Sequence, residues 1–252
     1  MSRAPDKRFH RPKEQASTVW LFGIHAVRDA LLNPARTRHR LIVTKNAADR
    51  LGEAIPTSGM APEMADARKF PAPIDPGSVH QGAALEVSPL DWGSVSELCA
   101  PQNEAPLVVL LDRVTDPHNV GAILRSAEVF GARAVIAPHR HSAPESGALA
   151  KTASGALERQ PYLRVPNLAR AMSALKEMGY TILGLDGEAE TDIATALPQG
   201  PLAITLGAEG PGLRELTRQS CDALVKIPFA RDFGSLNVSN AAAVALYTAS
   251  MR

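Results

Sequence analysis

Residues 107–137 read LVVLLDRVTDPHNVGAILRSAEVFGARAVIA. The stretch contains two apolar runs, Leu107–Leu111 and Ala134–Ala137, separated by a polar turn and a helix-forming segment at Val120–Phe130. A short apolar run bounded by turn residues is typical of a strand that is buried on both faces. A helix between two such strands is the unit from which parallel sheets are built. The stretch therefore predicts an α/β domain with a parallel sheet.

The same alternation of strands and helices continues from Pro106 to the C-terminus. We expect helices to cover both faces of the sheet, and ligands to bind beyond the carboxyl ends of its strands. The other predicted strands of this domain are Tyr180–Leu185, Leu202–Leu206 and Ala223–Ile227, and its other predicted helices are Leu168–Met178, Gly212–Gln219 and Val238–Met251.

The N-terminal part of the chain divides into three segments. Residues 1–17 are predicted to be a disordered basic arm. Residues 18–88 have the size and pattern of a small α/β domain, and the polar residues 89–105 are predicted to link it to the larger domain at 106–252. Order is expected to begin near Thr18, at the apolar run Val19–Gly23. The predicted elements that follow are helices at Ile24–Leu32 and Ala47–Glu53, a strand at Arg40–Thr44, and a turn and a strand over His80–Val87.

The charge pattern places positive residues in two clusters. The net charge of the 252-residue chain is only +1, so no global positive field indicates a nucleic-acid partner. Basic clusters can neutralise phosphates, or can simply be solvated surface, and any RNA binding is expected to be local. The clusters are Arg3, Lys7, Arg8, Arg11 and Lys13 in the arm, and Arg36, Arg38, His39, Arg40, Lys45 and Arg50.

The cysteine and hydropathy patterns restrict the class of protein. The two cysteines, Cys99 and Cys221, make a disulfide framework implausible and have no metal-ligand spacing. No apolar stretch approaches the roughly 20 residues that span a bilayer. The basic N-terminus lacks the apolar segment of a secretory signal. We therefore expect a cytoplasmic protein without membrane contact and without a metal.

Three segments that follow predicted strands are more polar or richer in glycine than a scaffold requires. In the first segment, residues 111–127, Asn119 is predicted to be the N-cap of a helix. Arg125 lies in a largely apolar part of that helix, where its charge needs an anionic partner or a route to solvent. The structural alternative is a capped helix with one surface arginine.

The second segment is LGAEGPG at residues 206–212. Its three glycines permit close approach of the backbone to a ligand, and the loop presents Glu209. The alternative is an ordinary turn from a strand into a helix.

The third segment, residues 227–246, reads IPFARDFGSLNVSNAAAVAL. More polar residues surround the start of its helix than capping requires, so they are predicted to serve a ligand or a packed loop. A well-capped C-terminal helix is the alternative, and its small residues suit close packing, including packing between subunits. The polar residues are Ser235, Asn237, Ser239 and Asn240.

Together the three segments resemble the motifs of the SpoU/TrmH family of SPOUT methyltransferases, in the same order. The resemblance covers residues 108–246 and is carried by the forms N-x-G-x-x-x-R-S-A, L-G-x-E-x-x-G and S-L-N-V-S. Asn240 departs from the pattern, since many relatives have an apolar residue there. GIHAV at 23–27 and HQG at 80–82 resemble the L30e-like RNA-binding domain that precedes this fold in rRNA methyltransferases.

The resemblance implies a fold, a cofactor and a set of site residues. The implied fold is α/β, with a C-terminal parallel-sheet domain that contains a deep trefoil knot, works as a homodimer and follows a small L30e-like domain. The implied cofactor is S-adenosylmethionine, and the implied substrate is structured RNA methylated on a ribose 2′-hydroxyl. By the same carry-over, the cofactor-binding residues are Leu206, Gly207, Ile227, Leu236 and Asn237, and the catalytic residues are Asn119, Arg125, Glu209, Ser235 and Asn237.

The chemistry suits these residue types but leaves alternatives for role and substrate. A 2′-hydroxyl must be oriented in line with the methyl group and must lose its proton. The family proposal makes Arg125 the proton acceptor, but arginine normally stays protonated, so positioning a phosphate and stabilising the alkoxide are alternative roles. The two-domain layout favours a guanosine of 23S rRNA as the substrate. A tRNA methyltransferase and a non-catalytic ribosome-assembly factor are the alternatives.

Overall fold

Two β-sheets organise the computed structural model, which describes residues 18–102, 105–230 and 235–252. The predicted basic arm lies outside the described residues. No helix within those ranges is long and apolar enough to cross a membrane. The strands are β1 (Val19–Phe22), β2 (Arg38–Val43), β3 (Pro62–Met64), β4 (Ala83–Val87), β5 (Leu107–Asp112), β6 (Ala134–Pro138), β7 (Tyr162–Val165), β8 (Thr181–Leu185), β9 (Leu202–Gly207) and β10 (Ala223–Val225). The helices are α1 (Ile24–Leu32), α2 (Lys45–Leu51), α3 (Ala54–Ser58), α4 (Val95–Leu98), α5 (Pro117–Val129), α6 (Gly147–Ala153), α7 (Leu168–Glu177), α8 (Ile193–Ala196), α9 (Glu215–Ser220) and α10 (Val238–Ser250).

The larger sheet is parallel throughout, which confirms the prediction. Its spatial order is β10-β8-β9-β5-β6-β7. The chain builds outward from β5 through β6 to β7, crosses to β8, and returns to place β9 between β8 and β5. The order therefore reverses beside β5 and β9. In open parallel sheets, ligands bind outside the carboxyl ends of the strands at such a point.

Helices cover both faces of this sheet. Val109 and Leu111 of β5 belong to a core that also contains residues of α5, α6 and α10. Val108 and Leu110, which point the other way, belong to a second core with residues of α7. All four side chains are buried. Because alternate residues of one strand fill two cores, the strand has to be a continuous apolar run.

Besides two short helical turns, α8 and Ala156–Glu158, two elements of the larger domain are absent from the sequence-based prediction. The edge strand β7 contains Arg164, whose guanidinium donates hydrogen bonds to backbone carbonyls of Pro138 (3.2 Å) and Ala143 (3.1 Å). Helix α6 is only seven residues long and begins at the N-cap Ser146. Both segments are too short or too polar to show the periodicity on which the prediction relied.

Helix α5 begins at Pro117, and the prediction that Asn119 is its N-cap is wrong. The cap is Asp116, whose side chain accepts a hydrogen bond from the His118 backbone N–H at 2.8 Å. Proline is favoured in the first turn because the N–H that it lacks would have no helical partner there. Asn119 therefore lies inside the first turn, and capping does not use its side chain. Helix α9 also begins later than predicted, at Glu215 rather than Gly212.

The smaller sheet has the order β1-β4-β2-β3, with antiparallel pairs around β4 and a parallel pair between β2 and β3. The predicted strands and helices of this unit are confirmed, with ends that differ by up to three residues. Strand β3 lies within residues 56–76, which contain five prolines and for which no strand was predicted. Helix α3 follows α2 directly.

The two units share one apolar core. Leu21 and Val27 of the first unit belong to the same buried cluster as Leu149 and Ala153 of α6. Gly147, at the start of α6, lies directly against β1. A Cβ atom at Gly147 would lie 2.3 Å from the Phe22 ring and 2.4 Å from the Trp20 carbonyl oxygen. Glycine is therefore required for this close approach.

Arg36 crosses the junction between the units, which corrects its assignment to a phosphate-binding cluster. Its side chain is fully buried and pairs with Glu145 and with Glu158, whose Oε1 lies 2.6 Å from Nη2. Nη1 also donates to the Ser88 carbonyl at 2.9 Å. Burial alone would lower the pKa of Arg36, but the hydrogen bond to Glu158 and the two carboxylate charges outweigh it and raise the pKa. Arg36 therefore stabilises the junction and cannot reach an RNA phosphate.

Candidate active site

A cavity of about 210 Å³ opens beyond the carboxyl ends of β8, β9 and β10. Four of the five predicted cofactor residues line it, together with two predicted catalytic residues. The fifth, Asn237, is not among the lining residues. The lining residues predicted from sequence are Leu206, Gly207, Glu209, Ile227, Ser235 and Leu236.

Gly207 allows the loop after β9 to fold back onto the end of the strand. A Cβ atom at Gly207 would lie 2.2 Å from the Gly212 carbonyl carbon and 2.4 Å from the Leu213 nitrogen. The loop closes with a hydrogen bond from the Gly212 N–H to the Ala208 carbonyl at 3.0 Å, and Gly212 has φ +69°. The glycines thus build a tight loop that presents Glu209 at the edge of the cavity.

Glu209 joins three segments of the chain through one carboxylate oxygen. Its Oε1 accepts hydrogen bonds from Asn119 Nδ2 at 3.1 Å, from Asn237 Nδ2, and from the Val238 backbone N–H at 3.3 Å. Asn237 Nδ2 also lies 3.0 Å from Asn119 Oδ1. The structure therefore brings together Asn119, Glu209 and Asn237, one from each polar segment. We call these three residues the Asn-Glu-Asn network.

Asn237 caps α10 and takes part in the network with different atoms. Its Oδ1 accepts hydrogen bonds from the N–H and the hydroxyl of Ser239, while its Nδ2 donates to the network. Capping and the network therefore explain two of the four polar residues at the start of this helix, Asn237 and Ser239. Ser235 borders the cavity, and Asn240 is exposed on the first turn of the helix.

Arg125 is not part of the network. It is exposed, and it forms no hydrogen bond or ion pair with any of the described residues. Six residues of α-helix correspond to about 600°, so Arg125 projects roughly 120° away from Asn119 around α5. It lies one turn before Val129, which is also exposed. The spacing of six residues in one helix already excludes an i,i+4 pair between Asn119 and Arg125, in agreement with the structure.

Several residues of the cavity were not predicted from sequence. Leu185, Asp186 and Gly187 form one wall at the end of β8, and Lys226 lies at the end of β10. Their signal was available, because the rule that ligands bind at carboxyl ends applies to β8 as well as to β9. No recognisable motif surrounds Asp186, so the sequence did not single it out.

The lining suits a nucleoside with a charged tail. Leu206, Ile227 and Leu236 offer apolar surface for a flat ring, and Gly207 leaves backbone groups exposed beside it. Glu209, whose hydrogen-bond partners among the described residues are uncharged, favours a positive charge on a ligand in this cavity. The second lining carboxylate, Asp186, is already paired with Arg218. Within the described ranges, no group of three or more His, Cys, Asp or Glu side chains is placed to hold a metal ion.

Comparison with known proteins gives the chain its family. The model of the SpoU rRNA Methylase family matches residues 106–247. A curated relative, the 23S rRNA (guanosine-2′-O-)-methyltransferase RlmB of Vibrio cholerae, is 43% identical over 241 residues, which cover 92% of this chain and 96% of the relative. The RlmB of Ralstonia nicotianae is 41% identical over 236 residues, covering 91% and 94%.

A solved structure shows the same fold. The SpoU methyltransferase AviRb from Streptomyces viridochromogenes, in complex with the cofactor AdoMet, superimposes with a TM-score of 0.79 at 24% sequence identity. The match covers 94% of this chain and 91% of AviRb, so it includes both sheets. With the family match over residues 106–247 and relatives above 40% identity, this chain belongs to the SpoU rRNA methylase family.

Proposed function

We propose that this protein transfers a methyl group from S-adenosylmethionine to the ribose 2′-hydroxyl of a guanosine in 23S rRNA. The observation that carries the proposal is the 43% identity to an enzyme named for this reaction, over nearly the full length of both chains. The Asn-Glu-Asn network, which lies beside a cavity at the carboxyl edge of the sheet, supports it because a scaffold has no need of this set of polar groups.

The cavity residues would hold the cofactor. We assign the nucleoside part to the surface formed by Leu206, Ile227 and Leu236, with the backbone at Gly207 supplying hydrogen bonds. When bound, S-adenosylmethionine supplies an electrophilic methyl group on a positively charged sulfur. Glu209, at the edge of the cavity, favours that charge electrostatically. Methyl transfer from a sulfonium needs no metal, so we propose an enzyme without one.

The network residues orient the acceptor ribose. Asn119 and Asn237 are fixed through Glu209, so their amide groups can hold the ribose hydroxyl in line for attack without reorganising. Ser235, at the cavity wall, offers a further hydroxyl at the same edge. Arg125 stays protonated, binds a phosphate of the RNA and stabilises the developing alkoxide.

We also propose that the protein is a homodimer whose interface includes α5 and α10. Val129 of α5 and Val244, Tyr247 and Met251 at α10 expose large apolar side chains, and such a patch marks an interaction surface. Arg125 lies at the edge of this patch, one helical turn before Val129. In a dimer it would therefore lie at the interface, next to the partner.

Three finer features of the fold and setting belong to the same proposal. We propose the deep trefoil knot for the larger domain because the loops after β9 and β10 meet at one cavity, as the family resemblance implies. We propose that residues 18–88 form an L30e-like RNA-binding domain, that 89–105 connect it to 106–252, and that the protein works in the cytoplasm without contacting a membrane. The free thiols of Cys99 and Cys221 suit a reducing compartment.

The test is methylation with tritiated S-adenosylmethionine of 23S rRNA and of tRNA, both from a strain that lacks the gene. We expect label in 23S rRNA only, at one guanosine 2′-oxygen, mapped by nuclease digestion and mass spectrometry. Label confined to tRNA would overturn the substrate, and no label with intact RNA binding would favour an assembly factor. Arg125→Gln should abolish transfer while cofactor binding persists, and Arg170→Gln, on the exposed side of α7, is the matched control.

A further inference from the structure

A second cavity, of about 280 Å³, lies on the other side of the loop that borders the cofactor cavity. The two cavities share Ala208 and Gly212 as wall residues. The second cavity is otherwise lined by Arg113 and Thr115, which follow β5, and by residues that precede α9, including Arg214. It therefore lies at the same carboxyl edge of the sheet as the Asn-Glu-Asn network.

Arg113 has a backbone conformation that arginine rarely adopts. Its φ is +61°, in the left-handed region that glycine occupies without strain. Non-glycine residues in such conformations concentrate at functional sites, where the side chain compensates for the backbone cost. The guanidinium of Arg113 is exposed and has no hydrogen bond or ion pair with any residue in the described ranges. No hydrogen bond or ion pair in the described part of the chain accounts for an arginine at this position.

Arg214 supplies a second, fixed cation to the cavity. Its Nε donates to Asp112 Oδ1 at 2.7 Å, and its backbone N–H donates to Asp112 Oδ2 at 2.9 Å. Asp112 is completely buried beneath it, so the carboxylate is occupied by Arg214 and does not line the cavity. The Nη groups of Arg214 are not used in these bonds, and the lining contains no acidic side chain.

We propose that Arg113, Thr115 and Arg214 bind a phosphate of the RNA next to the nucleotide that is methylated. Two guanidinium groups, a hydroxyl and no lining carboxylate match a phosphodiester oxygen. The inference rests on the proposed function, because the phosphate belongs to the RNA whose ribose reaches the network. The carboxylate tail of the cofactor has the same anionic chemistry, and the test separates the two.

The test compares the wild-type protein with Arg113→Gln, Arg113→Lys and the matched control Arg170→Gln, an arginine on α7 with no side-chain partner among the described residues. An unmodified 23S rRNA transcript is bound at several KCl concentrations and followed by fluorescence anisotropy. Cofactor affinity is measured by calorimetry with S-adenosylmethionine alone, and folding is checked by thermal unfolding.

We expect Arg113→Gln to raise the RNA Kd about tenfold at low salt, the loss of one charge-assisted contact. The slope of log K against log salt should fall by about 0.7–0.9, the value for one phosphate. Arg113→Lys should keep most of the affinity because it keeps the charge, and Arg170→Gln should behave as wild type. Cofactor affinity and the unfolding temperature should not change.

Unchanged RNA affinity and salt slope in Arg113→Gln would overturn the inference. Weakened cofactor binding with unchanged RNA binding would overturn it too, and would assign the cavity to the cofactor carboxylate. Tritium transfer by the wild-type protein, measured in parallel, tests the proposed function separately. If the wild-type protein methylates the transcript and Arg113→Gln binds it as tightly as wild type does, only this inference fails. If the wild-type protein neither binds nor methylates the transcript, the proposed function fails as well.

Discussion

Replacing Arg36 by alanine should lower the stability of the whole chain substantially. The variant removes a buried cation and leaves Glu158, which is 7% exposed, and Glu145 without their partner in the junction. Breaking a buried ion pair by removing one member costs about 3–5 kcal/mol. That is a large fraction of the roughly 5–15 kcal/mol by which domains are stable. For a chain of this size it corresponds to a fall in Tm of about 6–20 °C.

Arg40 provides a matched control for Arg36. It forms a two-bond pair of the same kind with Glu63, at 2.6 and 2.8 Å, but the two side chains are 42% and 50% exposed. Arg40→Ala should therefore leave the urea midpoint and Tm nearly unchanged, since water replaces the lost contacts. Both variants are measured by circular dichroism in urea and on heating. Equal midpoints for the two variants would refute the argument that burial determines the effect.

Three further predictions concern the network, the junction and a histidine. Asn119→Asp replaces an amide donor 3.1 Å from Glu209 Oε1 by a carboxylate, and should lower the rate of methyl transfer about 100-fold while cofactor affinity is retained. Gly147→Ala places a methyl group against Phe22 and should cost about 1–3 kcal/mol in urea unfolding, because the backbone at that contact has to move. Burial lowers the pKa of His80 below the 6.5 of an unfolded histidine, so the unfolded chain binds the proton first and stability should fall as the pH drops below about 6.5.

Each of these predictions has a control. Asn167→Asp, at the N-cap of α7, should keep full activity because aspartate caps as well as asparagine. Gly200→Ala should be nearly neutral, because its Cβ would meet nothing within 4 Å. His80→Asn keeps an acceptor for the Gly82 N–H but cannot titrate, so its loss of stability between pH 7.5 and 5.5 should be smaller than that of wild type. Wild-type activity in Asn119→Asp would contradict the argument on the network, and unchanged stability in Gly147→Ala would contradict the argument on the junction. The same pH profile for wild type and His80→Asn would contradict the argument on His80.

The buried strands of the larger sheet were predictable because burial on both faces leaves a simple mark in the sequence. Strand β5 is apolar from Leu107 to Leu111, and only its last residue, Asp112, is charged. The edge strand β7 is different, because Arg164 can reach carbonyl groups at the sheet margin and the apolar run is broken. The cap of α5 was misassigned for a related reason. Asp116 and Asn119 are both good caps by residue type, and only the backbone shows which one the helix uses.

The role of a charged residue was harder to predict than its presence. Arg36 belongs to a run of basic residues that look alike in sequence, yet its partners Glu145 and Glu158 are 109 and 122 positions away. The Asn-Glu-Asn network spans similar separations, but each member stands in a recognisable motif, so a family resemblance could bring the three together. Arg113 lies six residues before the first motif, and its positive φ cannot be recognised from residue type.

The buried junction between the two units also fixes the distance between two surfaces that an RNA could contact. Since Arg36 is locked between Glu145 and Glu158, and Gly147 lies on β1, the distance from the first unit to Asn119 is set when the protein folds. An RNA that contacts both the first unit and the Asn119 site has to present its two contact points at that fixed distance. If the first unit binds RNA as proposed, discrimination between RNAs depends on the length of the span between the contacts, and we expect a fragment with the correct target nucleotide but the wrong span to bind more weakly.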